Sequence, residues 1–375
     1  MKLETLAIHA GRGIDPATGA VREPVHLSTT FERGPDGEYP RGYNYSRAGN
    51  PNRTALERAV KALERGHDAV AFGSGSAATL AVFQLAAPGG RIVCGADCYH
   101  GTAKQLREIV PSWGVDVEFV DTTDLGAAAA ALDRRQTSLL WFETPTNPML
   151  QVSDIAALAD LAHARGALIG CDNTFASPVL QRPLTLGADF VMHSTTKYLG
   201  GHSDVLGGII VARQPGRELD RLRDYQGTAG GVPSPFDCWL VLRSLATLPL
   251  RVRQQAANAL AVAHFLHADR RRVARVHYAG LPDHPGHYVA LRQMEGGFGG
   301  VLSMELPGGQ DRALAVAARV ELFTRATSLG GVESLIEHRA SIEGPQSRTP
   351  PGLLRLSIGL EHADDLIADL DQALG

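Results

Sequence analysis

The sequence predicts an α/β fold whose centre is a largely parallel sheet, followed by a smaller α+β domain. Five short apolar runs between residues 91 and 194 have strand length and no polar face, as expected for a sheet covered on both sides. Helical segments separate several of these runs, and strands that alternate with helices at this spacing are typical of parallel sheets. The runs are RIVCGAD, VDVEFVD, TSLLWFET, ALIGCDN and ADFVMHS.

Length and composition divide the chain into three parts. A chain of 375 residues is longer than one ordinary domain and predicts two. Residues 1–50 are rich in Gly, Pro and Arg and lack a sustained period, so we predict an N-terminal arm. We place the larger α/β domain at residues 51–245 and the C-terminal domain at residues 246–375.

The larger domain begins with helix and strand signals in alternation. Residues 53–66, RTALERAVKALERG, carry an apolar stripe at helical spacing and end at a glycine, which predicts a helix. The stretch DAVAFGSGSAATLAVFQLA then predicts a strand, a tight glycine loop and a second helix. In SDIAALADLAHARG, either Ser153 or Asp154 is placed to cap the start of a helix.

The pattern loosens after Gly208. Residues 233–269 predict a long helix that bends near Pro249, because a proline inside a helix removes a hydrogen bond and clashes with the preceding turn. The C-terminal domain then combines strand-like and helical runs, which predicts an α+β unit. In order, these runs are VLSMEL, RALAVAARVELF, LLRLSIG and ADDLIADLDQAL.

Composition excludes several classes of protein. A net charge of −4 gives no sign of a nucleic-acid or anionic-membrane partner. No apolar run approaches the ~20 residues of a membrane span, and the N-terminus lacks the apolar region of a signal peptide. Four cysteines are too few for a disulfide framework in this chain, so a cytoplasmic location is expected. Cys94, Cys98 and His100 have no second ligand pair downstream, so no metal site is predicted.

Chemically suggestive residues follow the predicted strands, at the edge where open α/β sheets bind ligands. Residues 73–76, Gly-Ser-Gly-Ser, end a strand and open a helix, where backbone N–H groups can hold an anion. This loop matches neither a P-loop nor a complete dinucleotide fingerprint, and similar loops also serve only as turns. Asp172 and Lys197 each follow a predicted strand, although an isolated aspartate is often a turn residue and an isolated lysine a surface charge.

A lysine, a carboxylate and an anion-binding loop together are what pyridoxal phosphate requires. The amine of Lys197 can form a Schiff base with an aldehyde. The carboxylate of Asp172 can keep a pyridine nitrogen protonated, so that the ring acts as an electron sink. Ser194 and Thr196 can donate hydroxyl hydrogen bonds to a phosphate, and Tyr99 can stack on the ring.

A series of motifs spans nearly the whole chain. They are, in order, IHAG, DPATGAV, YNYSRAGNP, FGSGSAA, CYHGT, ETPTNP, DNTFASP, HSTTKYLGGHSDVLGG, SLGGVESLIEH and LLRLSIGLEHADDLI. The series resembles the Cys/Met-metabolism family of pyridoxal-phosphate (PLP) enzymes, which has the aspartate-aminotransferase fold, type I. The resemblance implies a trans-sulfuration enzyme. Within the family we favour a cystathionine γ-lyase-type carbon–sulfur lyase that gives a 2-oxo acid, ammonia and a thiol.

The resemblance also implies roles for the residues around the cofactor. Lys197 would hold the cofactor as a Schiff base and move protons during the reaction. Asp172 would pair with the pyridinium, and Tyr99 would stack on the ring and assist proton transfer. The phosphate would be bound by Gly75, Ser76, Ser194 and Thr196.

Further residues would serve the substrate and a neighbouring subunit. The resemblance implies that Arg355 clamps the substrate carboxylate with Ser328 nearby, and that Asn147 contacts the cofactor or this carboxylate. Tyr45 and Arg47 would reach the cofactor phosphate of the next subunit. A homo-oligomer with shared active sites, a dimer or the homotetramer usual in the family, is therefore expected.

Some positions depart from the family pattern. Thr327 stands where cystathionine-specific members typically carry glutamate, so it marks a changed preference for the distal part of the substrate, or a harmless loop substitution. Gly101 stands where methionine γ-lyases carry cysteine, so a dedicated methionine γ-lyase is not favoured. His100 replaces a usual glycine and is interpreted as a filler rather than an acid or base. Residues 342–351 form a shorter loop than usual, which predicts a more open mouth to the site.

Other functions remain open from the sequence alone. Cystathionine γ-synthases and O-acylhomoserine sulfhydrylases use the same residues for γ-replacement, and methionine γ-lyase is a further alternative. A catalytically silent PLP-binding protein is an alternative of a different class. A nicotinamide oxidoreductase is weaker, because the dinucleotide fingerprint is incomplete.

Overall fold

A seven-stranded sheet organises the larger part of the molecule. The computed structural model describes residues 1–343 and 349–375 of the chain. The spatial order of its strands is β1-β7-β6-β5-β4-β2-β3, and only β7 runs antiparallel to its neighbours. The predicted parallel-rich sheet is confirmed. The strands are β1 Asp68–Phe72, β2 Arg91–Gly95, β3 Asp116–Val120, β4 Leu139–Glu143, β5 Leu168–Asp172, β6 Phe190–Ser194 and β7 Gly208–Ala212.

Helices cover both faces of this sheet. Alternate residues of β4 enter two different apolar clusters, Leu140 and Phe142 in one and Leu139 and Trp141 in the other. All four side chains are fully buried, which explains why the strand reads as a continuous apolar run. The helices are α1 Leu3–His9, α2 Pro51–Glu64, α3 Gly75–Phe83, α4 His100–Lys104, α5 Leu125–Arg134, α6 Ile155–His163, α7 Ser177–Leu180, α8 Arg217–Ala229 and α9 Pro235–Leu245.

A five-stranded sheet forms the C-terminal part, with the order β10-β11-β12-β9-β8. It is the mixed α+β unit that the sequence predicts, although the boundary at residues 245 and 246 stays a prediction. Its strands are β8 Arg275–His277, β9 Val301–Glu305, β10 Thr324–Arg325, β11 Leu335–His338 and β12 Leu353–Ser357. Its helices are α10 Leu248–Ala268, α11 His287–Gln293, α12 Gly309–Arg319, α13 Arg339–Glu343 and α14 Ala363–Leu374.

The predicted bent helix is two separate helices. The first, α9, ends at Leu245, and α10 begins at Leu248 with Pro249 in its first turn. Proline is tolerated in a first turn because the N–H it lacks would have no partner there. Pro249 therefore belongs to the start of a helix and does not bend one.

The predicted arm contains one helix, α1, which the sequence did not reveal. Leu3, Leu6 and Ala7 of this short helix pack against the main apolar cluster. The rest of residues 1–50 is turns and extended chain, and the arm as a separate part stays a prediction. None of the helices within residues 1–343 and 349–375 has the length and apolar content that crossing a membrane requires.

The carboxyl ends of the parallel strands bring several polar residues to one edge. Glu143 and Asp172 end adjacent strands and face each other in the register of β4 and β5. Ser194 ends β6, the next strand along, and the turn that carries Lys197 follows it. This edge is where the site predicted from the sequence would lie.

Candidate active site

A cavity of about 190 Å³ lies at this edge, between the two sheets. Most of the residues predicted to bind cofactor or substrate line it, and they come from distant parts of the chain. Those that line it are Gly75, Ser76, Tyr99, Asn147, Asp172, Ser194, Thr196, Lys197, Thr327, Ser328 and Arg355.

The glycine loop forms one wall of the cavity. The side chain of Ser74 caps α3 by accepting a hydrogen bond from the N–H of Ala77 at 3.1 Å. Gly75 then begins the helix, and a Cβ added to it would lie 2.9 Å from Cβ of Ser194. Only glycine therefore lets this helix start approach the end of β6 so closely.

Asp172 lies buried at the base of the cavity. Its Oδ1 accepts a hydrogen bond from the N–H of Thr174 at 3.0 Å. Burial raises the pKa of this carboxyl, while the hydrogen bonds from Thr174 oppose the shift. A cation placed beside the carboxylate, such as a protonated ring nitrogen, would favour its ionised form.

Glu143 is a second buried carboxyl that the sequence reasoning missed. Its Oε2 accepts a hydrogen bond from the N–H of Tyr99 at 2.7 Å, which fixes the backbone of the tyrosine. Burial, and next the charge of Asp172, raise the pKa of Glu143 well above its usual range. Its place at the end of a buried strand, beside Asp172 in the next strand, is the signal that would have found it.

Lys197 projects into the cavity from the turn after β6. Its Nζ donates a hydrogen bond to Oγ of Ser328 at 2.7 Å. Burial, and next the positive charge of Arg355, lower the pKa of Lys197 to about 8. Ser328 itself has φ +115°, a backbone conformation that residues other than glycine rarely adopt. Backbone strain of this kind is concentrated at functional sites. The amine is therefore held ready to lose its proton near neutral pH.

In the cofactor-free protein, Lys197→Met should raise the melting temperature by several degrees at neutral pH. The folded chain holds this lysine with a pKa of about 8, against 10.5 in the unfolded chain, so burying the charged form costs stability below pH 8. Between these two pKa values the unfolded state binds more protons, so the stability of the wild type rises with pH. The difference in melting temperature between the variant and the wild type therefore shrinks. Thermal unfolding at pH 7, 9 and 10.5 tests this, with the exposed Lys104→Met as the control. A difference in melting temperature that stays constant over this range would contradict it.

Arg355 lies in β12 of the C-terminal sheet and also lines the cavity. Its Nη1 donates to Oδ1 of Asn147 at 3.0 Å, and its Nη2 donates to the backbone oxygen of Ser328 at 2.8 Å. Nη2 also donates to Oε2 of Glu337 at 2.6 Å, and Glu337 in turn accepts a hydrogen bond from Thr327 at 2.6 Å. This network fixes the guanidinium where it can bind a carboxylate, and Glu337 is another residue that the sequence reasoning missed.

His100 sits beside Tyr99, with ring centroids 4.6 Å apart. Its Nδ1 lies 3.4 Å from Nη2 of Arg339, so the imidazole can accept a hydrogen bond from the guanidinium. Burial, and next the charge of Arg339, lower the pKa of His100. His100 is thus placed where it can contact Arg339, and its interpretation as a filler stays a prediction.

Two predicted residues, Tyr45 and Arg47, do not line this cavity. Nη1 of Arg47 donates to the backbone oxygen of Gly227 at 2.5 Å, and its guanidinium lies 5.8 Å from the ring centre of Tyr45. The tyrosine is 47% exposed in the single chain. Their predicted role, at the cofactor of a neighbouring subunit, stays a prediction.

The predicted short loop falls partly outside the described residues. Residues 344–348 are not among them, so the openness of the mouth stays a prediction.

Cys94 and Cys98 have their sulfur atoms 3.8 Å apart, and both are buried. In the part of the chain that the structure describes, no three His, Cys, Asp or Glu residues are arranged to hold a metal ion.

These residues fit pyridoxal phosphate. Bare backbone at Gly75, at the start of α3, offers N–H groups to a phosphate beside Ser194. Asp172 supplies a buried anion for a protonated ring nitrogen. Lys197 supplies an amine whose pKa of about 8 allows it to react with an aldehyde. The fold and the site together therefore define the class of PLP-dependent enzymes.

Comparison with known proteins identifies the family. Over residues 4–375 the chain matches the family described as Cys/Met metabolism PLP-dependent enzyme. The chain belongs to this family, and pyridoxal phosphate is its cofactor. The resemblance drawn from the motifs is thus confirmed.

Individual relatives carry several related activities in their names. The cystathionine gamma-synthase of Mycobacterium tuberculosis is 49% identical over 378 residues, which cover 99% of this chain and 96% of the relative. The cystathionine gamma-lyase of Dictyostelium discoideum is 43% identical over 383 residues, which cover 100% and 97%. Among solved structures, apo CalE6, a methionine gamma lyase from Micromonospora echinospora, superposes with a TM-score of 0.93 at 44% identity, covering 100% of this chain and 99% of that one.

Proposed function

We propose that this enzyme cleaves the bond between Cγ and sulfur in an L-amino acid of the cystathionine type, as a cystathionine γ-lyase does. The products would be a 2-oxo acid, ammonia and a thiol. The observation that supports this most is the cavity itself, which is lined both by Lys197, whose amine has a pKa of about 8, and by the guanidinium of Arg355, which would bind a carboxylate.

The cofactor, when bound, supplies an electrophilic aldehyde and an electron-withdrawing ring. Arg355 would hold the substrate carboxylate, since its guanidinium is already fixed by Asn147 and Ser328. Nζ of Lys197 would take the proton from Cα of the substrate and return protons later in the reaction. Asp172 would hold the positive charge of the ring nitrogen, and Tyr99 would orient the ring.

Replacement at Cγ by a thiol, as in a cystathionine γ-synthase, is the second candidate. The 49% identity to a relative named cystathionine gamma-synthase favours it. Both reactions begin with removal of a proton from Cα and loss of the substituent from Cγ. They differ in whether a thiol enters at Cγ before the product leaves.

A substrate panel separates the two candidates and tests for a silent protein. L-Cystathionine, methionine, and O-acetyl- or O-succinyl-L-homoserine with cysteine would each be incubated with the cofactor-saturated enzyme, with 2-oxo acid, thiol and cystathionine as readouts. The proposal expects 2-oxo acid and thiol from cystathionine alone. Turnover of an acylhomoserine with cysteine, and none of cystathionine alone, would establish the second candidate instead. No turnover of any member would indicate a catalytically silent protein.

The oligomer, the location and the domain boundaries are part of the proposal. Exposed Tyr45, and Arg47 outside the cavity of its own chain, support a homo-oligomer in which they reach the next subunit's cofactor, as a dimer or homotetramer. Four free and buried cysteines support a cytoplasmic location. The break between α9 and α10 supports a boundary between residues 245 and 246.

A further inference from the structure

Arg339 is a second buried arginine that lines the same cavity as Arg355 and has no part in the chemistry proposed above. Its side chain is only 2% exposed, and it begins the short helix α13. A guanidinium keeps its charge at any physiological pH, so a buried one needs anionic partners. Its partners therefore show what kind of ligand it could take.

The fixed partners of Arg339 are two carboxylates and an imidazole. Nη1 donates to Oε2 of Glu337 at 3.0 Å, and Nη2 donates to Oε1 of Glu343 at 3.1 Å. Nη2 also lies 3.4 Å from Nδ1 of His100. Because Glu337 also binds Thr327, the guanidinium spans the part of the cavity between Thr327 and His100.

The two arginines have unused hydrogen-bonding capacity. Arg339 Nη1 and Arg355 Nη2 donate to the same oxygen, Oε2 of Glu337, at 3.0 and 2.6 Å. The Nε–H group of each arginine is buried without an acceptor among the described residues. Both guanidinium groups share Glu337, and Glu343 pairs with Arg339, yet neither carboxylate reaches the two Nε–H groups. Unpaired buried donors of this kind favour the arrival of a further anion.

The other charges that line the cavity already have assignments. Asp172 is assigned to the ring nitrogen, Lys197 to the cofactor aldehyde, and Arg355 to the substrate α-carboxylate. Glu143 is occupied by the backbone N–H of Tyr99. Among the charged groups on the described cavity wall, Arg339 remains without an assignment. Neither the cofactor nor the α-amino acid end of the substrate provides a partner for it.

We propose that Arg339 is a specificity-determining residue that binds a second carboxylate, at the far end of the substituent on Cγ. This inference rests on the proposed function, which supplies a substrate with such a substituent. It predicts a preference for substituents that end in a carboxylate, whether a second amino acid or a dicarboxylic acyl group. Amino acids whose substituent on Cγ is a neutral acetyl or alkylthio group would be poorer substrates.

The test compares matched substrates on the holoenzyme. One pair is O-succinyl- and O-acetyl-L-homoserine, each with cysteine, and the other is L-cystathionine and S-ethyl-L-homocysteine without a thiol. In each pair that reacts, Arg339→Met should lower kcat/KM for the carboxylate-bearing member by about 10- to 100-fold, mostly through KM, because one charge-assisted contact is lost. The neutral member should change by less than about threefold. The two pairs also distinguish an acyl carboxylate from an amino-acid carboxylate.

Two further variants keep the test decisive. Arg339→Lys preserves the charge but not the planar fork, so it should show a smaller loss confined to the same member of each pair, and it replaces Arg339→Met if that variant does not fold. Arg292→Met removes an exposed arginine outside the cavity and should change neither member.

Each remaining outcome overturns a specific statement. Equal losses for both members of a pair would mean that Arg339 serves the α-carboxylate or the fold, and no loss for either would mean that it binds no substrate. Both results overturn the inference while leaving the proposed function intact. A wild-type holoenzyme that turns over none of the four substrates would overturn the proposed function, and this inference with it.

Discussion

Lys197→Ala is expected to lower turnover of every substrate by about 10⁴-fold or more, because it removes the group that both binds the cofactor and moves protons. No other lysine lines the cavity among the residues that the structure describes. The variant should still fold, since removing a buried cation relieves the cost that lowers the pKa of this lysine. Steady-state assays with the best substrate from the panel, together with the visible absorbance of the bound cofactor, provide the measurement.

The control for this prediction is Lys61→Ala. Lys61 is a partly exposed lysine that pairs with Asp68, away from the cavity. It should keep wild-type turnover and the wild-type absorbance of the bound cofactor. Wild-type turnover by Lys197→Ala would place the reactive amine elsewhere in the chain.

Asp172→Asn is expected to reduce turnover by about 100- to 1,000-fold, because it removes the negative charge that stabilises a protonated ring nitrogen. Asparagine has nearly the same shape, and its side-chain oxygen can still accept the hydrogen bond from the N–H of Thr174. Burial already raises the pKa of Asp172, so a neutral side chain should not destabilise the cofactor-free fold. The expected signature is therefore normal stability without the cofactor, weaker cofactor retention and low activity.

Asp133→Asn is the matched control, because Asp133 is exposed and pairs with Arg165. Cofactor retention after dialysis, thermal unfolding with and without cofactor, and kcat would be measured for both variants. If Asp172→Asn retained full kcat, the ring nitrogen would need another partner. If it failed to fold without cofactor, the carboxylate would be structural.

The sequence predicted the parts of the fold that depend on local pattern. Strands β2, β4, β5 and β6 read as apolar runs because both of their faces are buried, as Trp141 and Phe142 show from the two sides of β4. The edge strand β3 was also predicted to be buried on both faces, but it is only partly covered. The antiparallel β7 was missed, because Gly208 opens it directly after a glycine-rich turn. Its place between β1 and β6 depends on pairing between distant segments, which no local pattern encodes.

The site was predictable where the residue type and its position after a strand together indicate a chemical role. Lys197 and Asp172 stood out because each follows a buried strand, and the structure brings both to one cavity. Glu337 and Arg339 were missed because charged residues beside a short apolar run usually lie at the surface. Their importance comes from burial and from their pairing with each other, which appear only in the folded chain.

The central claim is that the reactive group of this enzyme is the side-chain amine of Lys197. The most direct measurement is reduction of the cofactor-saturated protein with borohydride, followed by proteolysis and mass spectrometry. A pyridoxyl group on Nζ of Lys197, at one per chain, is the predicted result. A pyridoxyl group on another lysine, with Lys197 unmodified, would contradict the claim.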